Sequence, residues 1–169
     1  MINKPQANEY PDYAINYVNK VDTTDVLELL DELKESTANL FISLGEEKAS
    51  LPYAPGKWTF KDTLGHIIDT ERVFAYRALV FSRNNVPQPG FDQDVYINNT
   101  DFNSRTITDL VNEYKAVREA TLFLYRSFSE GQLLRLGTAS GYPITVRAIV
   151  YITAGHELHH LAVLKQYGY

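Results

Sequence analysis

The sequence predicts an all-α protein, a four-helix bundle that forms one domain over residues 1–169. Three observations support this fold class. Four segments repeat apolar residues every three or four positions, which places them on one side of a helix. Residues that favour turns separate the segments. The composition, with 44% hydrophobic and 22% charged residues, is that of an ordinary globular domain long enough to bury a core.

The first two helices are predicted from about Thr24 to Leu44 and from about Thr59 to Ser82. The apolar face of the first helix consists of Val26, Leu29, Leu30, Leu33, Thr37, Leu40, Phe41 and Leu44. At the start of the second, Thr59 is followed three residues later by Asp62. This spacing is typical of a capping box, with Asp in place of the usual Glu.

The third and fourth helices are predicted from Thr106 to about Phe128 and from about Pro143–Thr145 to Tyr167. Thr106 and Asp109 repeat the capping pattern. Gly168 directly follows Tyr167, and a glycine at that place commonly ends a helix. The fourth helix carries its histidines on its apolar face, which consists of Thr145, Ile149, Ile152, Thr153, His156, His160, Val163 and Tyr167.

The connection between the second and third helices, Asn84 to Arg105, is unusually long. Helix–helix joints commonly have about 2–8 residues. At about 3.3 Å per residue, this segment could cross the whole bundle. The second and third helices could therefore run parallel, in an up-down-down-up arrangement. A lid over a functional site is the alternative interpretation of the same segment.

Charge and composition exclude several classes of protein. The net charge is −5 and the basic residues are scattered among acidic ones, which argues against nucleic acid as a partner. No run of about 18 apolar residues predicts a transmembrane helix, so no membrane partner is expected. The absence of cysteine excludes disulfides, thiolate ligands and a cysteine nucleophile. Because the first residues lack a secretory signal pattern, a cytoplasmic location is expected.

Three of the four histidines lie within five residues of one another. His156 and His160 are four positions apart, so both project from one helix face and can bind one ion. His66 lies beside the apolar face of the second helix and could face them across a bundle. Three histidine ligands would leave coordination positions open, as in catalytic sites. The alternative is that these are core histidines with ordinary hydrogen-bond partners, and spacing alone does not decide between the two.

The letters HELHH at 156–160 also match the H-E-x-x-H pattern of zinc proteases, with Glu157 as the prospective base. The context of the pattern disagrees with a protease. Nine residues follow His160, and none of them is a Glu or His that could be a third ligand. The protease interpretation is therefore disfavoured.

Taken together, the segments YAPGKWTFKDTLGHIIDTERVFAYRAL at 53–79, PGFDQDVY at 89–96 and AGHELHHLAVLKQYG at 154–168 resemble the DinB/YfiT-like family. The resemblance extends over nearly the whole chain. It implies a four-helix bundle whose metal ligands are His66, His156 and His160, with His159 as a neighbour that is not a ligand. It also implies a divalent transition metal, with zinc or nickel expected, and a homodimer.

The resemblance leaves the reaction open among three hypotheses. The first is a metal-dependent transferase that acts with a low-molecular-weight thiol and an electrophile, as the characterised enzymes of the family mostly do. The second is a metal-dependent hydrolase. The third is a stress protein that binds a metal or small ligand without turnover. With no cysteine and no Ser/His/Asp pattern, the chain has no evident nucleophile of its own.

Three further residues could support the site. Asp69 could orient His66 or receive a proton, and His159 could also carry a proton away. Arg77 shares the side of the helix that carries His66 and could bind an anionic group of a substrate. A solvated surface residue is the alternative interpretation of both Asp69 and Arg77. Glu71 falls in the middle of an apolar face, so it is predicted to pair with an arginine from another helix.

Overall fold

Four long helices lie side by side in the computed structural model of the chain, which describes residues 1–169. Short helices and one hairpin of two strands connect them. In chain order the elements are α1 (Ile15–Val18), α2 (Val26–Ala49), α3 (Phe60–Arg83), α4 (Gln93–Asn98), α5 (Ile107–Arg126), α6 (Glu130–Leu133), β1 (Leu136–Ala139), β2 (Tyr142–Thr145) and α7 (Val146–Gln166).

The helix ends follow the capping residues of the sequence. The hydroxyls of Thr59, Thr106 and Thr145 accept hydrogen bonds from the first turns of α3, α5 and α7. The predicted capping box of Thr59 and Asp62 is formed. Helix α2 leaves helical geometry at Gly45, with φ 70° and ψ 169°. The chain then continues for one more turn beyond the predicted end at Leu44.

Contacts along the helices confirm the up-down-down-up arrangement. Asp62 at the start of α3 accepts a hydrogen bond from Asn103, just before α5, and Phe81 and Tyr125 share one core cluster at the far ends. Helices α3 and α5 are therefore parallel. Helix α2 runs against α5, since Leu30 contacts Arg118 whereas the later Glu46 contacts Ile107.

The all-α prediction missed the hairpin of β1 and β2, in which Leu136 pairs with Thr145 and Ala139 with Tyr142. Its turn has positive φ at Ser140 and Gly141, as a tight two-residue turn requires. The long crossover from α3 to α5 is attached to this hairpin. Gln88 N–H donates to the Thr138 carbonyl at 2.8 Å, and Ser140 N–H donates to the Gln88 carbonyl at 3.0 Å.

The apolar core consists of two clusters, one toward each end of the bundle. One contains Val26, Phe81, Leu122 and Ile149 among its 20 buried residues, and the other contains Phe41, Phe60, Leu110 and Leu164 among its 13. Buried polar residues from all four long helices lie between them, including Thr37, His66, Glu71, Arg118, His156 and Glu157. None of the helices has the length and apolarity of a membrane span.

Candidate metal centre

The three histidines singled out by the sequence face one another across the bundle. His66 comes from α3, and His156 and His160 come from adjacent turns of α7. Nε2 of His156 lies 3.0 Å from Nε2 of His66 and 3.2 Å from Nε2 of His160. Each ring offers one nitrogen, and these three nitrogens all lie within 4.8 Å of one another.

These separations suit one transition ion. For metal–nitrogen bonds of about 2.1 Å, neighbouring ligand nitrogens lie roughly 3.0 Å apart at octahedral angles and roughly 3.4 Å apart at tetrahedral angles. The observed 3.0 Å and 3.2 Å fall in this range. The spacing of His66 and His160 from His156 therefore suits ligands of one divalent ion.

Burial keeps the imidazoles neutral, the form that binds a metal. Desolvation, followed by the charge of His159, lowers the pKa of His66 to about 4. Desolvation, followed by His66 and His159, lowers the pKa of His160 to about 3. Burial also lowers the pKa of His156 well below its usual value. At neutral pH the three rings therefore present lone pairs rather than positive charges.

The partner of the second nitrogen of His66 is Thr70, whose hydroxyl lies 3.3 Å from Nδ1. When Nδ1 carries the proton and donates it to Thr70, Nε2 points its lone pair at the other histidines. The predicted contact of Asp69 with His66 is not formed. Asp69 lies on the same helix but pairs with Arg72 at 3.4 Å, so the structure places Thr70 where the sequence suggested Asp69.

His159 lies beside the group without joining it. Its ring centroid is 5.5 Å from that of Tyr17 and 5.3 Å from that of His160. The side chain is half-buried, and burial lowers its pKa.

Two cavities meet the histidines from different sides. The Arg77 cavity, about 280 Å³, is lined by His66 and His156 together with Tyr13, Phe74, Arg77 and Ser140, among others. The Trp58 cavity, about 330 Å³, is lined by His159 and His160 together with Tyr53, Lys57 and Trp58, among others. Gln93, at the start of α4, lines both cavities. The crossover therefore contributes a wall to each.

Arg77 is buried, with 6% of its surface exposed, so the surface interpretation of this residue is wrong. One of its terminal nitrogens donates to the Pro89 carbonyl at 2.7 Å and to Ser140 Oγ at 3.2 Å. The guanidinium also lies 5.7 Å from the ring centroid of Phe91. Burial lowers its pKa.

Glu71 pairs with Arg118 of α5 at 2.8 Å, which confirms the prediction of an arginine from another helix. Arg118 also pairs with Glu157. Glu157 accepts further hydrogen bonds from Thr37 and Tyr114, both at 2.6 Å. With 1% of its surface exposed, Glu157 is held inside the bundle and is not the free base that a protease of the H-E-x-x-H type requires.

A glycine precedes two of the three histidines and allows neighbouring segments to approach them. A Cβ on Gly65 would lie 2.4 Å from the Phe102 ring, and a Cβ on Gly155 would lie 2.0 Å from the Tyr17 carbonyl oxygen. Tyr17 therefore packs directly on α7, where its ring meets His156 edge-on at 5.7 Å between centroids. Sequence reasoning missed Tyr17 because no local pattern connects α1 with α7.

Comparison with known proteins relates almost the whole chain to one family. The model of the DinB superfamily matches residues 9–164. A protein of Oceanobacillus iheyensis, named as a candidate metal-dependent hydrolase, is 26% identical over 162 residues, 92% of each chain.

Two solved structures from Bacillus subtilis have the same fold. YfiT, described as a candidate metal-dependent hydrolase with an unusual four-helix-bundle topology, superposes with a TM-score of 0.76 at 15% identity, over 94% of this chain and 91% of YfiT. The DinB-like protein YjoA superposes with a TM-score of 0.60 at 19% identity, over 84% of this chain and 88% of YjoA. Since the family model matches almost the full length, this chain belongs to the DinB superfamily.

Proposed function

We propose that the protein is a metal-dependent enzyme that binds one divalent transition ion through His66, His156 and His160. The observation that carries the proposal is the approach of three neutral imidazole nitrogens to 3.0–3.2 Å of their neighbours. Zinc and nickel are the proposed metals because both accept imidazole ligands. Three protein ligands leave room for a further ligand from the adjoining cavities.

An ion at this position would supply Lewis acidity, which lowers the pKa of a thiol or water bound to it. The residues around the ion would orient its ligands, exclude water and move protons. Thr70 would hold the ring of His66 in its orientation, and Tyr17 and Phe74 would shield His156 from water. His159 would receive or return a proton next to His160.

The residues of the two cavities favour a small thiol over water as the reactive partner. Neither cavity is lined by an aspartate or glutamate. Water activation at metal sites commonly uses a carboxylate base, as in the H-E-x-x-H proteases. A thiol has an ordinary pKa near 8.5 and ionises on coordination without such a base. We therefore propose a transferase that joins an exogenous small thiol to an electrophile.

Hydrolysis is the second candidate, because the Oceanobacillus protein and YfiT are both described as candidate metal-dependent hydrolases. In that case His159 is the group placed to accept the proton of water. The thiol experiment below separates the two candidates.

The metal proposal is tested by measuring bound metal in purified protein and in four alanine variants. We expect about one ion per chain in the wild type, and loss of most of it in His66→Ala, His156→Ala and His160→Ala. His159→Ala is the matched control, since its ring lies beside the group and is not part of it. Equal loss in His159→Ala, or retention in His156→Ala, would overturn the assignment.

The thiol proposal is tested with cobalt-loaded protein and mercaptoethanol. We expect new absorption from sulfur coordination, and no change with ethylene glycol, which has a hydroxyl in place of the thiol. Metal-free protein serves as the blank. A spectrum unchanged at saturating thiol would reject the transferase and leave hydrolysis or binding without turnover, which a screen with ester and amide substrates would distinguish.

A further inference from the structure

Arg77 differs from the other buried or paired arginines of the chain in having no acidic partner. Arg118 pairs with Glu71 and Glu157, and Arg147 pairs with Glu9. Arg77 is also buried, with 6% of its surface exposed. Its two hydrogen bonds come from one terminal nitrogen and go to a carbonyl and a hydroxyl, both uncharged. A buried cation without a counter-ion is costly. An anion that enters from outside would remove that cost.

The same arginine lines the cavity that reaches His66 and His156. Arg77 follows His66 by eleven positions on α3, which corresponds to a rise of about 16 Å and a rotation of only about 20° around the helix. Both side chains therefore lie on one side of α3 and line one cavity from positions three turns apart. A ligand that contacts both must be elongated.

The cavity also limits the charge, size and polarity of that ligand. Arg77 is the one residue with a permanent positive charge among those that line the cavity. A ligand with a single negative charge would therefore balance the charge of the site. The volume of about 280 Å³ is near the lower end for small-molecule sites. Phe74, Phe91 and Tyr17 supply aromatic surface to the same cavity.

We infer that Arg77 binds the carboxylate of a small, elongated substrate or thiol whose apolar middle lies against Phe74 and Phe91 and whose other end reaches the three histidines. This inference rests on the proposed metal site and adds the chemical class of its ligand. The planar guanidinium would donate to the carboxylate from nitrogens that its contacts with Pro89 and Ser140 leave free.

The main test compares mercaptohexanoate with mercaptohexanol on cobalt-loaded protein, because the two differ only at the end remote from the thiol. We expect the acid to bind at least about tenfold more tightly than the alcohol, the range of one charge-assisted hydrogen bond. In Arg77→Gln the two affinities should become nearly equal. Arg77→Lys, which keeps the charge and loses the planar fork, should retain part of the preference.

Arg83→Gln is the matched control, since Arg83 is exposed on the same helix and forms no ion pair. It should keep the full preference for the acid. Equal binding of acid and alcohol by the wild type would overturn the inference. A preference for the acid that survives in Arg77→Gln would also overturn it, because the carboxylate would then bind elsewhere.

A second measurement separates the anion site from the proposed thiol chemistry. Hexanoate should raise the melting temperature of the metal-free wild type more than hexanol does, and this difference should vanish in Arg77→Gln. If thiols leave the cobalt spectrum unchanged while hexanoate still stabilises through Arg77, the transferase fails and the anion site stands. Stronger stabilisation by hexyl phosphate than by hexanoate would overturn the assignment to a carboxylate.

Discussion

Arg118 is the residue on which the polar interior of the bundle depends. From α5 its guanidinium contacts each of the other long helices, through the Leu30 carbonyl of α2, Glu71 of α3 and Glu157 of α7. The side chain is fully buried, and the two carboxylates raise its pKa further even though desolvation opposes this. Because Glu157 directly follows His156, the same network also fixes the turn of α7 that carries a candidate ligand.

Arg118→Met should lower the free energy of unfolding by about 3–5 kcal/mol, because it leaves two buried carboxylates without their cation. Urea unfolding followed by circular dichroism measures this change. Arg126→Met, on the same helix, is the control. Arg126 is exposed and pairs with Asp31 at the surface, and such surface pairs contribute about 0–1 kcal/mol. Similar losses in both variants would show that the buried network does not stabilise the fold.

Among the elements, the short helix α1 owes its position to Gly155 of α7, which has no side chain. The Tyr17 backbone lies in the space that the methyl group of an alanine at position 155 would occupy. Tyr17 then contacts both His156 and His159. Helix α1 thus forms one wall of the candidate centre, although it has only four residues and could not be stable alone.

Gly155→Ala should displace α1 and destabilise the protein by about 1–3 kcal/mol through overpacking. It should also weaken metal binding, since Tyr17 moves away from His156. Gly131→Ala is the matched control, because Gly131 lies in a helix with nothing within 4 Å of an added Cβ. Thermal unfolding and metal titration of both variants provide the measurement. An unchanged Gly155→Ala would mean that α1 is not held by this contact.

The elements differ in how far the sequence predicts them. The long helices could be predicted because their apolar periodicity and threonine caps are local signals, and the break at Gly45 coincides with the predicted end of the first helix. The hairpin at 136–145 could not, since each of its strands has only four residues. Its position also depends on the crossover, which pairs Gln88 with Thr138 and Ser140.

For the whole molecule, burial of the histidines couples the stability of the metal-free protein to pH. The pKa of His66 is about 4 and that of His160 about 3 in the folded chain, against about 6.5 when unfolded. Between about pH 6.5 and these lower pKa values, the unfolded chain therefore binds more protons than the folded chain. Stability must fall as the pH falls through this window.

Metal-free wild type should thus lose free energy of unfolding between about pH 6.5 and pH 4. His160→Gln, which removes one titrating ring, should lose less over the same interval. Urea unfolding at a series of pH values gives both curves. Parallel curves would show that His160 is not buried in its neutral form.

Chelation at pH 7 should leave the helical content unchanged, because the apolar clusters rather than the ion stabilise the bundle.

The candidate site shows the same division between local and distant information. His66, His156 and His160 could be found because a spacing of four and a place beside an apolar face are readable in the sequence. Thr70, four residues after His66, could have been found by the same spacing. The ionic partner of Glu71 could be predicted only as an arginine, and its identity as Arg118 depends on helix packing across 47 positions.

The attachment of the first residues to the last helix has a consequence for the order of folding. Ile2 accepts a hydrogen bond from Tyr151, and Glu9 binds Thr145 and Arg147, across 136 to 149 positions of sequence. On a ribosome, the segment that is made early must wait until α7 has emerged before it can dock. Such distant contacts form slowly because a long loop must close. Tyr17 is therefore expected to reach its place beside the histidines late, after α2, α3 and α5 have packed together.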